Sequence, residues 1–362
     1  MMLAPGSLAP GGRIGVLGGG QLGRMTALAA ASLGFRTHVY SEHADDPAAQ
    51  VATAHTAGDF NDMDALARFA AEVDVVTYEF ENIPVEPVQW LAERLPVRPS
   101  PRVLRISQDR LREKDFLGRL KIPTTFYRAV NAFPQLINAL GVVGKPAVLK
   151  STRMGYDGKG QVAIDDATDP SLAWRQIGAT VGILERFVDF EYEASVLVAR
   201  RPSGEVSVYE PVRNLHRHHI LAETHVPAPM SAALSQEARR IAASIAEALE
   251  LEGLLCVEMF VTRNGELVVN ELAPRPHNSG HWTMDACVTS QFEQTVRAIC
   301  DLPLGSTERL ADAVMLNLIG DDVHQWRSHL DNPRAKLHLY GKREARPGRK
   351  MGHVTILTPR GD

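Results

Sequence analysis

The sequence predicts an α/β domain with a parallel sheet, then an α+β region built around long hairpins, then a short β-rich end. Three observations carry this. The first hundred residues alternate short apolar strands with helical stretches, as parallel sheets with crossover helices do. A glycine turn, Gly18-Gly19-Gly20-Gln21-Leu22-Gly23, joins the first strand to the first helix. Asn264-Gly265 stands between two apolar runs, Leu254 to Val261 and Leu267 to Leu272, a strong signal for a tight antiparallel hairpin. At 362 residues the chain exceeds one small core, and two or three domains are expected.

In order along the chain, Met1 to Gly12 reads as a loose Pro/Gly tail without the charged-then-apolar pattern of a signal peptide. Arg13 to Leu17 is a buried strand, and the alanine-rich stretch to about Leu33 a helix. Thr37 to Tyr40 and Asp74 to Tyr78 are further strands, the second ending at Glu79. Proline becomes dense from Pro96 to Pro101, which suits a boundary. A charged helix, Arg110 to Leu120, opens the second region. Ala147 to Lys150 is a strand, followed by a glycine-rich loop, the strand Gln161 to Ile164 and another from Gly182 to Phe187. A hairpin-like pair surrounds Pro202-Ser203-Gly204. Ile241, Ile245 and Leu249 recur at helical spacing between Leu234 and Leu251, which predicts a core helix with Gly253 as its cap. From about Ala311 a short β-rich segment is expected.

Composition narrows the function. The apolar fraction of 44% and charged fraction of 23% are ordinary for a globular enzyme. A net charge of −4 argues against general nucleic-acid binding. Cys256, Cys287 and Cys300 lie in apolar segments without metal-like spacing, so buried thiols in a reducing cytoplasm are expected. No apolar run approaches the roughly 18 residues that suggest a membrane span.

The hairpin holds the most informative pair. With Asn264 and Gly265 as a two-residue loop, Arg263 pairs with Glu266 and Glu258 falls opposite Glu271. Cross-strand partners lie about 5 Å apart at Cβ, where like charges destabilise a sheet. Two carboxylates among apolar neighbours need a cation or a shared proton, and Mg²⁺ takes carboxylates together with substrate phosphates. Asn270 offers another oxygen; the alternative is a frayed edge hairpin with both glutamates in solvent.

Other motifs are weaker alone. Gly18 to Gly23 fits G-x-G-x-x-G with Glu42 about 20 residues on, a dinucleotide pattern, yet the same turn serves any anion at a helix N-terminus. Lys150 at a strand end beneath Gly155-Tyr156-Asp157-Gly158-Lys159-Gly160 suits triphosphate binding, or the loop is a solvent hairpin. Glu185-Arg186-Phe187-Val188 offers backbone to an adenine edge, and Glu193 an acceptor for ribose hydroxyls. Arg275, His277, Asn278 and His281 follow the hairpin directly and suit a small oxyanion. His216, His218 and His219 among arginines read as a solvated face. Lys342, Arg343, Arg346, Arg349 and Lys350 are either a solvated or nucleic-acid-contacting run or a structured loop for one substrate phosphate.

Taken in order, the glycine turn, Lys114, Lys150, the glycine lid, the Glu185 segment, Glu258 and Asn270-Glu271 resemble the ATP-grasp superfamily, which joins a carboxylate to an amine through an acyl phosphate. Gly18 to Met25 (GGGQLGRM), Gly155 to Gln161 (GYDGKGQ), Asn270 to Trp282 (NELAPRPHNSGHW) and Arg346 to His353 (RPGRKMGH) are similar to the N5-carboxyaminoimidazole ribonucleotide synthases of purine biosynthesis, from about Arg13 to His353. The resemblance implies an ATP-grasp fold with an N-terminal Rossmann-like domain (1–108), an ATP-grasp domain (109–305, lid about 122–190) and a small β-rich C-terminal domain (306–362). It implies ATP between two β-rich subdomains. Arg110, Lys114 and Lys150 would face it, Gly155, Tyr156, Asp157, Gly158, Lys159, Gly160 and Gln161 would cover its phosphates, and Glu185, Arg186, Phe187 and Val188 would read adenine. Glu193 would bind ribose, and His216 would reach the nucleotide after all. Glu258 and Glu271 would hold Mg²⁺ beside Asn270. Arg275, His277 and Asn278 match positions near bicarbonate and, with Lys159, are the expected catalytic residues. Gln21, Leu22, Glu79, Tyr156, Lys342 and Arg349 would bind aminoimidazole ribonucleotide, the last two at its phosphate. A cytoplasmic homodimer is implied, with no nucleic-acid or membrane partner. Members usually continue past GRKMGH into a helical stretch, whereas this sequence ends at Asp362. Rival readings are biotin carboxylase or the formate-dependent transformylase, which share the ATP machinery, then a nicotinamide dehydrogenase, then a silent nucleotide sensor.

Overall fold

The computed structural model describes residues 7–155 and 158–360. Strands β1 (Arg13–Leu17), β2 (Arg36–Ser41), β3 (Ala54–Ala57) and β4 (Val75–Tyr78) form a parallel sheet in the order β3-β2-β1-β4. After the exposed Arg13, β1 is buried throughout, as is β4, which is why both read as unbroken apolar runs. The helix Gln21–Ser32 follows β1 through the glycine turn. Residues 7–12 depart from the loose tail expected of them. The Leu8 amide donates to the Cys300 carbonyl at 3.0 Å and its side chain packs on the Val296–Cys300 region, so one apolar residue ties the segment down. Residues 1–6 lie outside the described residues.

Strands β5 (Tyr127–Val130), β6 (Ala147–Ser151), β7 (Gln161–Ile164) and β8 (Gly182–Arg186) make an antiparallel sheet ordered β5-β8-β6-β7. The helices Phe133–Val143 and Pro170–Ile177 close one face, with Leu136, Val143 and Ile177 packed over Leu149 and Leu184.

The third sheet has nine strands, in the order β14-β13-β9-β11-β12-β15-β17-β16 with β10 paired to β9. These are β9 (Phe190–Arg200), β10 (Val206–Val208), β11 (Val212–Arg217), β12 (Ile220–Val226), β13 (Gly253–Thr262), β14 (Leu267–Ala273), β15 (Asp312–Ile319), β16 (Ala335–Leu339) and β17 (Lys350–Thr358). The helix Ala232–Ala248 covers one face; Ser231 caps it by accepting the Leu234 amide at 3.2 Å. Its Ile241 and Ile245 bury against Val196, Val198 and Val257, each such side chain stabilising by about 1.5–3 kcal/mol. Gly253 is not its cap, contrary to expectation. Glu250 turns the chain at φ +51°, and the Leu251 amide donates to the Ala246 carbonyl at 2.9 Å. Gly253 instead opens β13 where a Cβ would stand 3.1 Å from Pro99.

The C-terminal segment is β-rich as expected, and it extends the large sheet, since β12 pairs with β15 from Glu223↔Leu316 to Val226↔Ala313. We propose the division 1–108, 109–305 and 306–362, with a lid at about 122–190; β1–β4 and β5–β8 support the first domain and the lid as separate sheets.

Candidate active site

Glu258 does lie opposite Glu271, though by a different route from the one the sequence suggests. The Thr262 amide donates to the Glu266 carbonyl at 2.9 Å, so the loop is Arg263-Asn264-Gly265, with Gly265 at φ +75°. A three-residue loop shifts the register by one. An irregularity between Glu258 and Met259, with Asn270 as the extra residue on β14, shifts it back. The two departures cancel.

Each glutamate has its own cation. Arg110 donates to Glu271 at 2.8 Å, and His277 Nε2 lies 3.1 Å from Glu258 Oε1. Burial pushes the Glu258 carboxyl up, but His277, His216 and Arg275 outweigh it and hold its pKa at about 2. Asn270 Oδ1 beside them is buried without a partner. Ionised carboxylate and amide oxygen are donors that suit a hard divalent cation. Among the described residues no cluster of three His, Cys, Asp or Glu could hold a metal alone, so water or phosphate oxygens would complete the shell.

The helix Arg110–Arg119 supplies the next layer. Asp109 caps it, accepting the Leu111 and Arg112 amides at 3.1 and 3.2 Å, and the spacing puts Arg110, Glu113 and Lys114 on one face. Lys114 Nζ donates to the Asn270 carbonyl at 2.9 Å and lies 3.6 Å from Glu185; Lys150 Nζ, at the end of β6, lies 2.6 Å from the other Glu185 oxygen. Burial opposes the Glu185 charge, yet Lys150, Lys114 and Arg110 hold its pKa at about 2. Burial also lowers the Lys114 pKa, and with Glu271 it pushes Glu113 up to about 8.

Around this core the other predicted residues fall as follows. The Arg186 and Phe187 amides already donate to the Phe126 and Pro146 carbonyls at 2.8 and 3.1 Å, leaving the Val188 amide as the donor available to an adenine edge. The glycine loop folds against its surroundings: a Cβ at Gly160 would stand 2.5 Å from Ser151 Oγ, and one at Gly155 3.4 Å from the Arg110 guanidinium. Lys159 is exposed on that loop, and Gln161 Nε2 lies 3.5 Å from His219. Tyr156 and Asp157 lie outside the described residues. Glu193 and His216 are ion-paired across β9 and β11, and although burial opposes the charge, Glu193 raises the His216 pKa. His216 is therefore not part of a solvated face, whereas His218 and His219 are exposed turn residues with positive φ.

Past β14, Glu81 grips Arg275 through both oxygens, with Nη2 at 2.8 Å from Oε1. Burial would raise the Glu81 pKa, but Arg275 holds it below the usual carboxylate range. Burial likewise opposes charge on His277, while Cys256 and Glu258 raise its pKa to about 10. The Asn278 side chain is buried with neither polar atom partnered.

Comparison with known proteins places this arrangement. Residues 12–108 match the ribonucleotide synthetase preATP-grasp domain, 115–292 the ATP-grasp domain and 313–362 the phosphoribosylaminoimidazole carboxylase C-terminal domain. An N5-carboxyaminoimidazole ribonucleotide synthase of Brucella melitensis is 49% identical over 98% of this chain and 98% of its own length. The chain belongs to the N5-carboxyaminoimidazole ribonucleotide synthase family. A bifunctional purine synthesis protein of Dictyostelium discoideum is 48% identical over 96% of this chain, which spans 37% of that longer protein. The synthase of Aspergillus clavatus, solved with ADP and 5-aminoimidazole ribonucleotide, superposes with a TM-score of 0.89 at 32% identity, covering 97% of this chain and 94% of its own.

In this synthase-family chain the glycine turn is not a dinucleotide site. The Gly20 and Gly23 amides donate to the Glu79 carboxylate, the latter at 2.8 Å, so the anion at this helix N-terminus is the protein's own. Gly18, at φ +110°, and Gly20 leave room for that carboxylate; a Cβ would stand 2.9 Å from Glu79 Oε1 on the first and 2.5 Å on the second. Glu42, the acid a dinucleotide site would use, is exposed. Burial raises the Glu79 pKa against the pull of those two amides, Lys342 and Arg275. Lys342 donates to the Lys350 carbonyl at 2.7 Å and Arg349 to the Glu344 carbonyl at 3.1 Å. Gln50 donates to the Gly341 carbonyl at 2.9 Å, and Arg343 pairs with Asp45, so these cations sit on a structured loop docked on the N-terminal domain. Gln21 opens the first helix, while Leu22 is buried with Met25, Phe292 and Tyr340 in a packing role. Glu81 and Glu113 were missed by sequence reasoning. Glu81 had only its place just beyond a strand end as a signal, and Glu113 only its helical spacing with Arg110 and Lys114.

Proposed function

We infer that the protein is an ATP-dependent carboxylate–amine ligase that carboxylates the 5-amino group of 5-aminoimidazole ribonucleotide with bicarbonate, releasing ADP and phosphate in purine biosynthesis. The observation that carries the reading is the adjacency of two charge systems. Arg110, Lys114 and Lys150 converge on one side of the Glu258–Glu271 pair, and Arg275, His277 and Asn278 lie on the other, with His277 bridging to Glu258 at 3.1 Å.

A bicarbonate oxygen attacks the γ-phosphorus of ATP as the bond to ADP breaks. The amine nitrogen then attacks the activated carboxyl carbon, or the CO₂ released from it in the closed site; phosphate leaves with the C–O bonding pair and takes up the proton the nitrogen loses. The lysines and Arg110 neutralise the transferring phosphoryl group, while the Arg275 side chain and the unpartnered amide of Asn278 orient bicarbonate. Glu258, Glu271 and Asn270 would hold Mg²⁺, which supplies neutralisation of phosphate charge when bound. The glycine loop at 155–161 excludes water that would hydrolyse the activated carboxyl. Glu79, Gln21, Lys342 and Arg349 receive the ribonucleotide, and Glu193 with His216 the ATP ribose.

A cytoplasmic homodimer completes the proposal. Cys256, Cys287 and Cys300 are buried free thiols, in keeping with a reducing compartment, and Val288 and Leu310 offer exposed apolar surface to a second copy. No helix among the described residues is long and apolar enough to cross a membrane. The test is ADP release with Mg-ATP and bicarbonate, with and without aminoimidazole ribonucleotide. A strong rise only with the ribonucleotide is expected; equal stimulation by formate or biotin would move the protein to a sister enzyme.

A further inference from the structure

Behind His277 runs a file of buried polar side chains for which the reaction described above has no use. His277 Nδ1 lies 2.8 Å from the Ser279 hydroxyl, which lies 2.7 Å from the Ser195 hydroxyl on β9. The Asn214 amide on β11 donates to Ser195 Oγ at 2.9 Å, and Thr224 on β12 donates to Asn214 Oδ1 at 3.0 Å. None of the four is more than 4% exposed. At the other end, His277 Nε2 meets Glu258 on β13. The opposite face of the same strands carries Val196, Val198 and Val257 against a helix, so this sheet uses apolar residues where packing alone is required. Buried polar groups left unmatched are expensive, and a fully connected file of them rigidifies what it touches.

We propose that Ser279, Ser195, Asn214 and Thr224 are positioning residues for His277, holding its ring so that Nε2–H stays aimed at Glu258 and at the bicarbonate beside it; this rests on the placement of His277 at the bicarbonate site. The Thr224 hydroxyl and the Asn214 amide donate along the file towards Ser195, which sets its direction. With Ser279 donating, Nδ1 accepts, as it also does from the Ser279 amide at 3.3 Å, and Nε2 carries the hydrogen. A hydrogen on Nδ1 alone, which would leave Nε2 bare, would meet the Ser279 amide, so the ring keeps its donor face towards Glu258. Ser279 alone could not ensure this, because a single hydroxyl rotates freely. Ser195 and Asn214 stop the rotation, and Thr224 fixes Asn214.

Thr224 makes the sharpest test, because three further side chains separate it from the imidazole. Thr224→Val keeps the shape and deletes the hydroxyl. It should lower kcat on the order of tenfold, below the roughly hundredfold loss that a full ångström of misplacement brings, with KM for ATP unchanged. Thr224→Ser restores the hydroxyl and should restore kcat. In a His277→Ala background Thr224→Val should lose nothing more, since the file then has no ring to aim. An equal loss in both backgrounds, or a Ser variant no better than Val, overturns the proposal. Should Thr224→Val fail to fold by circular dichroism, Ser195→Ala takes its place in the same cycle with the same deciding outcomes. A wild-type enzyme whose ADP release ignores bicarbonate would instead remove the underlying site assignment.

Discussion

Glu185 shows how one buried charge organises its neighbours. It sits between Lys114 and Lys150, 3.6 and 2.6 Å away, and without it both ammonium groups would face each other in the protein interior. Breaking a buried pair by removing one partner typically destabilises by about 3–5 kcal/mol. Glu185→Gln should therefore lower the thermal midpoint markedly. On the proposed function, ATP phosphates are anions for the same two lysines, so added ATP should raise the variant's midpoint more than the wild type's; an unshifted midpoint would show that the lysines need no internal anion. The pH dependence follows with its sign. Glu185 titrates at about 2 in the fold against 4.5 in the unfolded chain, a depressed value. Its stabilisation is complete above the unfolded value and drains away as pH falls from about 4.5 through about 2. Acid unfolding of the wild type should steepen in that window, and Glu185→Gln should flatten it.

The glycine turn and its helix show an element whose sequence signature and use differ. The G-x-G-x-x-G spacing announced a backbone that accommodates an anion, and that much was legible. That the anion is Glu79, 59 residues away from Gly20, was not, because no local pattern records which strand end will face a helix N-terminus. Gly20→Ala would set a Cβ 2.5 Å from Glu79 Oε1 and displace the carboxylate. A hydrogen bond to a charged group contributes about 1.5–3 kcal/mol, so KM for aminoimidazole ribonucleotide should rise about tenfold or more. KM for ATP should stay near the wild-type value; if both rise together, Glu79 serves the fold and not the ribonucleotide. The metal-type hairpin gives the converse lesson. Glu258 and Glu271 were paired correctly from sequence because the longer loop and the bulge at Asn270 offset each other. Bulges leave no dependable local signal, and this one makes Asn270, already expected to offer an oxygen, the extra residue whose Oδ1 is buried and unpartnered beside the pair.

Across the whole molecule, what the sequence points to is chemistry carried in contiguous strings: the glycine loop, Lys150 at its strand end, the Arg275 to Asn278 run. What it concealed was pairing at long range, such as Arg275 with Glu81 across 194 residues, and the file from Thr224 to His277 that exists only once β12, β11 and β9 lie side by side against the segment after β14. The same distance effect hid the continuity of the large sheet. A short β-rich C-terminus suggests an appended module, yet β15 adds directly to β12 and β17 to β15, while the loop between β16 and β17 reaches back to Gln50 and Asp45. A ladder shared across a domain boundary leaves no free edge at which one part can melt alone. Native-state hydrogen exchange should therefore find β12, β15 and β17 opening together, at a free energy close to the global one of about 5–15 kcal/mol. The lid strands β5 to β8, which form a sheet of their own, should open earlier and gain protection from ATP. If β15 to β17 exchange as a separate, weaker unit, the C-terminal segment is an independent module after all, and Lys342 and Arg349 would reach the proposed ribonucleotide site by docking and not by being built into one sheet.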